Sequence, residues 1–214
     1  MAHRILYYMV DGSTAKAQRI LQEWGVDEQI ELIGCAHQPL ADPTPAQMVG
    51  CEGFIGEFGP VSAETAEAMA HAGIRIVSSM SIGVNHVDVA ALAHHGIITT
   101  NCPGYCSLDV AQHATGLMLD LMRKITFSNR DVLAGAWEPT GGYAEHRTQG
   151  QTIGLVFFGN IARAMANIAQ ALGMRTVVWA PTKTHEELAQ AGCIKAETLD
   201  ELLAASDVVS LHCP

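Results

Sequence analysis

Charge is scarce in this 214-residue sequence, and positive charge is the scarcer kind. Charged residues make up 16% of the chain, with 12 Lys and Arg against 22 Asp and Glu, which gives a formal net charge of -10 at pH 7. An acidic surface repels phosphate backbones, so this balance argues against nucleic acid as a main partner. The low charge and an apolar content of 49% also exclude a disordered tail and indicate a folded core.

Long apolar runs are missing as well. No segment approaches the ~18 consecutive apolar residues that a membrane-spanning helix needs. Residues 5–10 form a short apolar run that ends at Asp11-Gly12, and the small-residue cleavage site of a signal peptide does not follow. The six scattered cysteines indicate reduced thiols and not a disulfide framework. We therefore expect a soluble cytoplasmic protein that binds neither membrane nor nucleic acid.

Short apolar runs alternate with helical patterns along most of the chain. Runs predicted as strands lie near residues 5, 30, 53, 74, 97, 152, 176 and 208. Helical segments between them are typical of βαβ units in a parallel sheet. Apolar residues spaced by three and four predict one long helix over residues 108–126, and residues 135–150 are predicted as a polar loop. The pattern predicts an α/β fold made of two blocks that meet near residue 100.

The stretch from residue 153 to residue 162 carries the clearest chemical signal. An apolar strand leads to a tight turn at Gly159 and then to an alanine-rich helix. Free amides and partial positive charge at a helix N-terminus suit a diphosphate, and a glycine lets the backbone approach it. Gly159 takes the second glycine position of the dinucleotide-binding fingerprint and Ala162 the third, but Phe157 stands at the first. The motif is therefore degenerate.

The end of the next predicted strand bears on the choice of cofactor. An acid that binds the adenosine ribose normally stands there, about 20 residues downstream of the glycines. Ala180 occupies that position, so no carboxylate selects a 2′-hydroxyl or repels a 2′-phosphate. Thr182 and Lys183 are candidates for contacting such a phosphate, and a solvated turn lysine explains Lys183 equally well. The choice between NAD and NADP stays open.

Several linked segments resemble the D-2-hydroxyacid dehydrogenase family. In order, they are residues 79–88 (SMSIGVNHVD), 101–104 (NCPG), 110–113 (VAQH) and 207–214 (DVVSLHCP). Within the family the chain is most similar to the glyoxylate/hydroxypyruvate reductase and phosphoglycerate dehydrogenase branches. The resemblance implies a flavodoxin-like substrate domain in residues 1–100 and a Rossmann NAD(P)-binding domain in residues 101–214, both incomplete.

The resemblance also implies site residues. Ser81, Ile82 and Gly83 would present backbone N–H groups to the carboxylate of a small 2-keto or 2-hydroxy acid, and a glycine-containing loop after a strand suits that role. The residues implied to bind NAD or NADP are Val110, Phe158, Gly159, Asn160, Ile161, Ala180, Pro181, Thr182, His212, Cys213 and Pro214. Two positions depart from the family, because Gln112 stands where Glu is frequent and Asn85 where Asp is frequent.

The resemblance places none of the family's catalytic side chains within this sequence. By the resemblance, the arginine that holds the substrate and the His–Glu pair that transfers the proton lie beyond Pro214. We therefore expect a truncated relative of an NAD(P)-dependent oxidoreductase with little or no hydride transfer by itself, and a homodimer at full length. The alternative is a non-catalytic dinucleotide-binding scaffold, similar to the family's corepressor branch.

Other candidate groups have simpler explanations. Cys102, Cys106 and His113 suggest a metal site, but zinc usually takes four ligands and no second cysteine pair is present, so no metal is expected. Imidazoles titrate near neutrality, which makes several histidines candidates for acid–base work. Packing or solvation is the favoured explanation for these side chains, which are His86, His94, His95, His113 and His146.

Overall fold

The computed structural model describes residues 2–36, 41–57, 59–137 and 144–213. The chain divides into two compact units, Met1–Tyr105 and Cys106–Pro214, which we call unit 1 and unit 2. Each unit contains one sheet of parallel strands with helices between them. The α/β class predicted from the alternating pattern is therefore confirmed.

Unit 1 is a doubly wound sheet with five described strands. Its strand order is β2-β1-β3-β4-β5, which is the flavodoxin-like order that the family resemblance implies. The elements, in chain order, are β1 (His3–Met9), α1 (Ala15–Glu23), β2 (Ile30–Ala36), α2 (Pro45–Met48), β3 (Gly53–Gly56), α3 (Ala63–Ala72), β4 (Ile76–Ser79), α4 (Val89–His94) and β5 (Ile98–Thr100).

The two faces of the unit 1 sheet are covered differently. Leu6, Phe54 and Val77 point to one face and belong to a fully buried core with residues of α2, α3 and α4. The opposite face carries α1, beside an apolar groove of about 600 Å³ that includes Tyr7 and Ile76. The core of unit 1 therefore lies mainly on the α3 and α4 side.

Side-chain caps set the start of two unit 1 helices. The Ser62 hydroxyl accepts a hydrogen bond from the amide of Thr65, as expected for a serine that precedes an apolar helix. The Asp88 carboxylate accepts from the amide of Ala91 at 2.9 Å. Such caps satisfy amides that a helix leaves without partners at its first turn, which is why these polar residues stand at the helix boundaries.

Unit 2 contains a parallel sheet with four described strands in the order β8-β7-β6-β9. This is the 3-2-1-4 arrangement of the first strands of a Rossmann sheet, so the predicted Rossmann architecture is confirmed. The elements are α5 (Ser107–Arg123), α6 (Ile125–Leu133), β6 (Thr152–Val156), α7 (Asn160–Ala171), β7 (Arg175–Trp179), α8 (His185–Gln190), β8 (Ile194–Lys195), α9 (Leu199–Ala205) and β9 (Val208–Leu211).

The long helix predicted over residues 108–126 is wrong in its C-terminal part. Helix α5 ends at Arg123, Lys124 takes a left-handed conformation with φ 54°, and α6 begins at Ile125. The carboxylate of Asp120 accepts from both the amide and the hydroxyl of Thr126, at 2.6 and 2.8 Å. Apolar spacing continues through this break, so periodicity alone does not reveal it. Of the predicted loop over residues 135–150, residues 138–143 lie outside the described residues.

Candidate functional site

The turn between β6 and α7 presents free backbone amides. Gly159 is the N-cap of α7, with φ -86° and ψ -166°, and its amide and carbonyl precede a twelve-residue helix. Among the described residues, none accepts a hydrogen bond from the amides of Asn160, Ile161 or Ala162. A Cβ atom at Gly159 would meet no atom within 4 Å. The turn therefore combines donors without acceptors and open space beside the backbone, as a diphosphate site requires.

The backbone conformation of Phe157 explains why the fingerprint normally has a glycine at this first position. Its φ is 69°, in the left-handed region that glycine enters freely and that costs other residues about 1–2 kcal/mol. The Phe157 amide donates to the carbonyl of Trp179 at 2.8 Å, and the two rings meet edge to face at 5.6 Å. Such an aromatic pair contributes about 0.5–1.5 kcal/mol, which offsets much of the backbone strain.

Two neighbours of the turn face the core. The Phe158 side chain is buried, with the Arg163 guanidinium 4.9 Å from its ring centroid, so only the Phe158 backbone is available at the turn. Ala162 is fully buried in the same core cluster as Ile153 and Leu155 of β6. A small residue at this place lets α7 lie close to the strand, which is the role of the third fingerprint position.

The segment after β7 contains no acid at the position expected to bind ribose. Ala180 is 1% exposed, and Pro181 and Thr182 are exposed. The Lys183 ammonium lies 3.1 Å from the carboxylate of Glu187 in the first turn of α8. Hydrogen bonds from Thr184 and Lys183 hold the pKa of Glu187 below its usual value. Lys183 is therefore ion-paired within its own turn.

The segment after β9 lies beside the turn between β6 and α7, at the edge of the sheet where the strands end. The His212 amide donates to the carbonyl of Val156 at 3.0 Å. The Nε2 atom of the His212 ring lies 3.0 Å from the Ser210 hydroxyl. Burial lowers the pKa of His212, which favours the neutral ring. Strand order reverses between β6 and β9, and ligands of open α/β sheets bind at such a point, outside the carboxyl ends of the strands.

The remaining residues predicted for the cofactor have a less defined setting. Cys213 follows β9 and is exposed, and Pro214 lies outside the described residues. Val110 lies in α5, which packs against α7, and is 41% exposed. The structure thus brings the segments after β6, β7 and β9 to one sheet edge and places Val110 on a separate helix.

In unit 1, three consecutive carbonyls of the loop after β4 are held by donors. The Ser81 carbonyl accepts from the amide of Cys102 at 3.1 Å, and the Ile82 carbonyl accepts from the Asn101 side chain at 2.7 Å. The Gly83 carbonyl accepts from the hydroxyl of Ser81 at 2.7 Å. Asn101 and Cys102 come from the segment after β5, so one distant segment and the loop's own Ser81 fix these carbonyls.

These bonds determine where the loop amides point. The described residues contain no cis peptide bond, and in a trans peptide the N–H points opposite to the carbonyl of the preceding residue. The amides of Ile82, Gly83 and Val84 therefore point away from the donors that hold the carbonyls, and no described residue accepts from them. Gly83 is exposed, and a Cβ atom there would meet nothing within 4 Å. A row of free amides of this kind suits an anion such as a carboxylate.

The family resemblance predicts a carboxylate-binding role for Ser81, Ile82 and Gly83, but it does not predict the residues that orient them. Asn101 and Ser79 both stand in segments that resemble the family, but the resemblance implies no role for either side chain. No local pattern marks Asn101 as a donor to a loop 19 residues away. In the described parts of the chain, no group of three or more His, Cys, Asp or Glu side chains could hold a metal ion. No helix described here is both long and apolar enough to cross a membrane.

The strand order and the glycine turn of unit 2 define a dinucleotide-binding α/β protein. The family model for the D-isomer specific 2-hydroxyacid dehydrogenase, NAD binding domain, matches residues 115–214. The chain is 37% identical over 142 residues to (S)-sulfolactate dehydrogenase of Chromohalobacter salexigens, and 36% identical over 146 residues to hydroxypyruvate reductase of Blautia hydrogenotrophica. Each match covers 66% of this chain and 45% of the relative.

Solved structures agree with these matches. The apo-structure of D-lactate dehydrogenase from Escherichia coli aligns with a TM-score of 0.75 at 25% identity, over 99% of this chain and 65% of that one. The chain belongs to the D-2-hydroxyacid dehydrogenase family, as its linked sequence motifs indicated. It spans less than half the length of the curated relatives named above.

Proposed function

We propose that this chain provides the carboxylate-binding loop and the dinucleotide-binding turn of an NAD(P)-dependent 2-hydroxyacid dehydrogenase. The observation that carries the proposal is the row of free amides at Ile82, Gly83 and Val84, oriented by three donors on the carbonyls behind them. The relatives named above act on sulfolactate, hydroxypyruvate and lactate by their names. All three are small acids whose carboxylate adjoins the carbon that is oxidised or reduced.

The residues around the turn fit a nicotinamide dinucleotide. The amides of Gly159, Asn160 and Ile161 would hold its diphosphate. The other residues that we propose to line the cofactor are Val110, Phe158, Ala180, Pro181, Thr182, His212, Cys213 and Pro214. When bound, the cofactor supplies or accepts the hydride, and the chain contributes orientation and carboxylate recognition.

Two features of unit 2 act in opposite directions on the preference between NAD and NADP. Ala180 offers no carboxylate to the ribose, so nothing there repels a 2′-phosphate. Lys183 is held by Glu187, so a 2′-phosphate would have to compete for its ammonium. We therefore propose weak binding of both cofactors without a strong preference.

We also propose that the protein is a cytoplasmic homodimer that uses the α5–α6 face. Met118 and Met122 of α5 are buried against the core of unit 2, whereas Leu117 and Leu121 on its other side are 55% and 62% exposed. Ile125 of α6 continues this exposed apolar face. Large exposed apolar patches commonly mark association surfaces.

Ligand binding to the purified chain tests the proposed function. Titration with NADH and, separately, with oxamate as a 2-keto acid analogue would be followed by two-dimensional NMR. The amide signals of Ile82, Gly83 and Val84 should move with oxamate, and those of Asn160 and Ile161 should move with NADH. A scaffold protein has no need of a carboxylate site, so NADH binding without any response to oxamate would favour the non-catalytic alternative.

A further inference from the structure

Three polar side chains form a continuous hydrogen-bonded chain behind the loop of residues 81–84. The Nε2 atom of His86 lies 3.3 Å from the hydroxyl of Ser79, which lies 2.6 Å from the hydroxyl of Ser81. The Ser81 hydroxyl lies 2.7 Å from the carbonyl of Gly83. Ser79 is 2% exposed and Ser81 8%, so water has little access to compete for these bonds.

The donor-to-acceptor direction of this hydrogen-bonded chain follows from the number of hydrogens that each hydroxyl and the imidazole can donate. A carbonyl only accepts, so the single hydroxyl hydrogen of Ser81 is donated to Gly83. The hydrogen between the two serines must then come from Ser79, whose oxygen is left to accept from His86. His86 must therefore carry a hydrogen on Nε2, which leaves every member of the chain satisfied.

The other tautomer of His86 would reverse the chain. With hydrogen on Nδ1 alone, Nε2 becomes an acceptor and takes the hydrogen of Ser79, and Ser79 then accepts the hydrogen of Ser81. The Gly83 carbonyl would lose its donor, and the peptide between Gly83 and Val84 would lose the bond that orients it. The state of one imidazole is thus coupled to the direction of one loop amide.

We propose that His86 is a positioning residue for substrate binding. Through Ser79 and Ser81 it holds the Gly83 carbonyl inward, so that the Val84 amide points toward the carboxylate of a small 2-keto or 2-hydroxy acid. This inference rests on the proposed function of the loop. It assigns no proton transfer to His86, whose part is to donate one hydrogen bond from Nε2.

Two substitutions at the same position separate donation from packing. His86→Gln keeps an N–H donor at a similar distance from the main chain, and His86→Leu keeps bulk without a donor. We expect oxamate to bind His86→Leu about fivefold to twentyfold more weakly than the wild type, and His86→Gln within about threefold of it. NADH affinity, which reports on unit 2, should be unchanged in both. Equal oxamate affinity in the wild type and His86→Leu would overturn the positioning role.

The tautomer can be observed directly in the wild-type protein without any ligand. Long-range proton–nitrogen NMR correlations of the imidazole distinguish hydrogen on Nε2 from hydrogen on Nδ1, and the His86 signal is assigned by its loss in His86→Gln. Hydrogen on Nε2 is expected, and a neutral ring with hydrogen on Nδ1 would overturn the inference. Absence of oxamate binding by a wild-type chain with the expected tautomer would instead refute the proposed carboxylate site.

Discussion

Gly159→Ala tests the diphosphate turn with a single methyl group. The backbone of Gly159 has a negative φ that alanine adopts without strain, and the added Cβ would meet no protein atom within 4 Å. The expected cost to folding is that of alanine at an N-cap, about 1 kcal/mol or less. For a protein of this size, that corresponds to a fall in Tm of about 2–4 °C.

The expected effect on the cofactor is much larger than the effect on folding. A methyl group beside the first amides of α7 would keep a phosphate oxygen from approaching them. The loss of one charge-assisted hydrogen bond, about 1.5–3 kcal/mol, weakens binding roughly tenfold to a hundredfold. Energy transfer from tryptophan to bound NADH measures this affinity, and a thermal melt of the same sample measures stability.

Gly116→Ala is the matched control for this experiment. Gly116 lies within α5, outside the left-handed region, and a Cβ there would also meet nothing within 4 Å. The substitution should stabilise the helix by up to about 1 kcal/mol and leave NADH affinity unchanged. Wild-type NADH affinity in Gly159→Ala would refute the assignment of the turn, and an equal loss in both variants would show that the effect is not local.

Three further outcomes follow from the same structure. Gly83→Ala should weaken oxamate binding about tenfold or more and leave NADH affinity unchanged, because its Cβ would enter the space beside the free amides; unchanged oxamate affinity would contradict the loop assignment. Glu187→Gln retains the capping box of α8 but removes the negative charge that pairs with Lys183. The affinity for NADPH relative to NADH should therefore rise several-fold. An unchanged ratio would show that Lys183 does not contact the 2′-phosphate. Burial raises the pKa of Asp42, but hydrogen bonds from Ser62 and Thr65 outweigh it and hold this pKa below its usual value. Asp42 thus stabilises the fold above the carboxyl pKa of the unfolded chain, about 4, and this stability is lost as the pH falls through the folded pKa. The Tm difference between the wild type and Asp42→Asn should therefore shrink in acid, and a constant difference would contradict this.

The architecture was largely predictable because buried parallel strands are apolar on both faces. Runs such as residues 152–156 and 176–179 stand out in any window, and the caps at Ser62 and Asp88 are chemically specific. The break at Lys124 was not predictable from spacing, because it depends on the side chain of Asp120 reaching Thr126. The two-residue strand β8 depends only on pairing with β7, and a segment that short has no pattern of its own.

The two candidate binding elements also differ in how far their free amides could be predicted from the sequence. At α7, helix geometry itself leaves the first amides without partners, so a glycine between a strand and a helix is enough to predict free donors from local sequence. In the loop after β4, free donors exist only because Asn101, Cys102 and Ser81 take up the carbonyls behind them. Two of those three partners come from the segment after β5, and the third, the Ser81 hydroxyl, is the last donor of the hydrogen-bonded chain that starts at His86. The first element could therefore be argued from residue types alone, whereas the orientation of the second emerges only once distant segments are folded against each other.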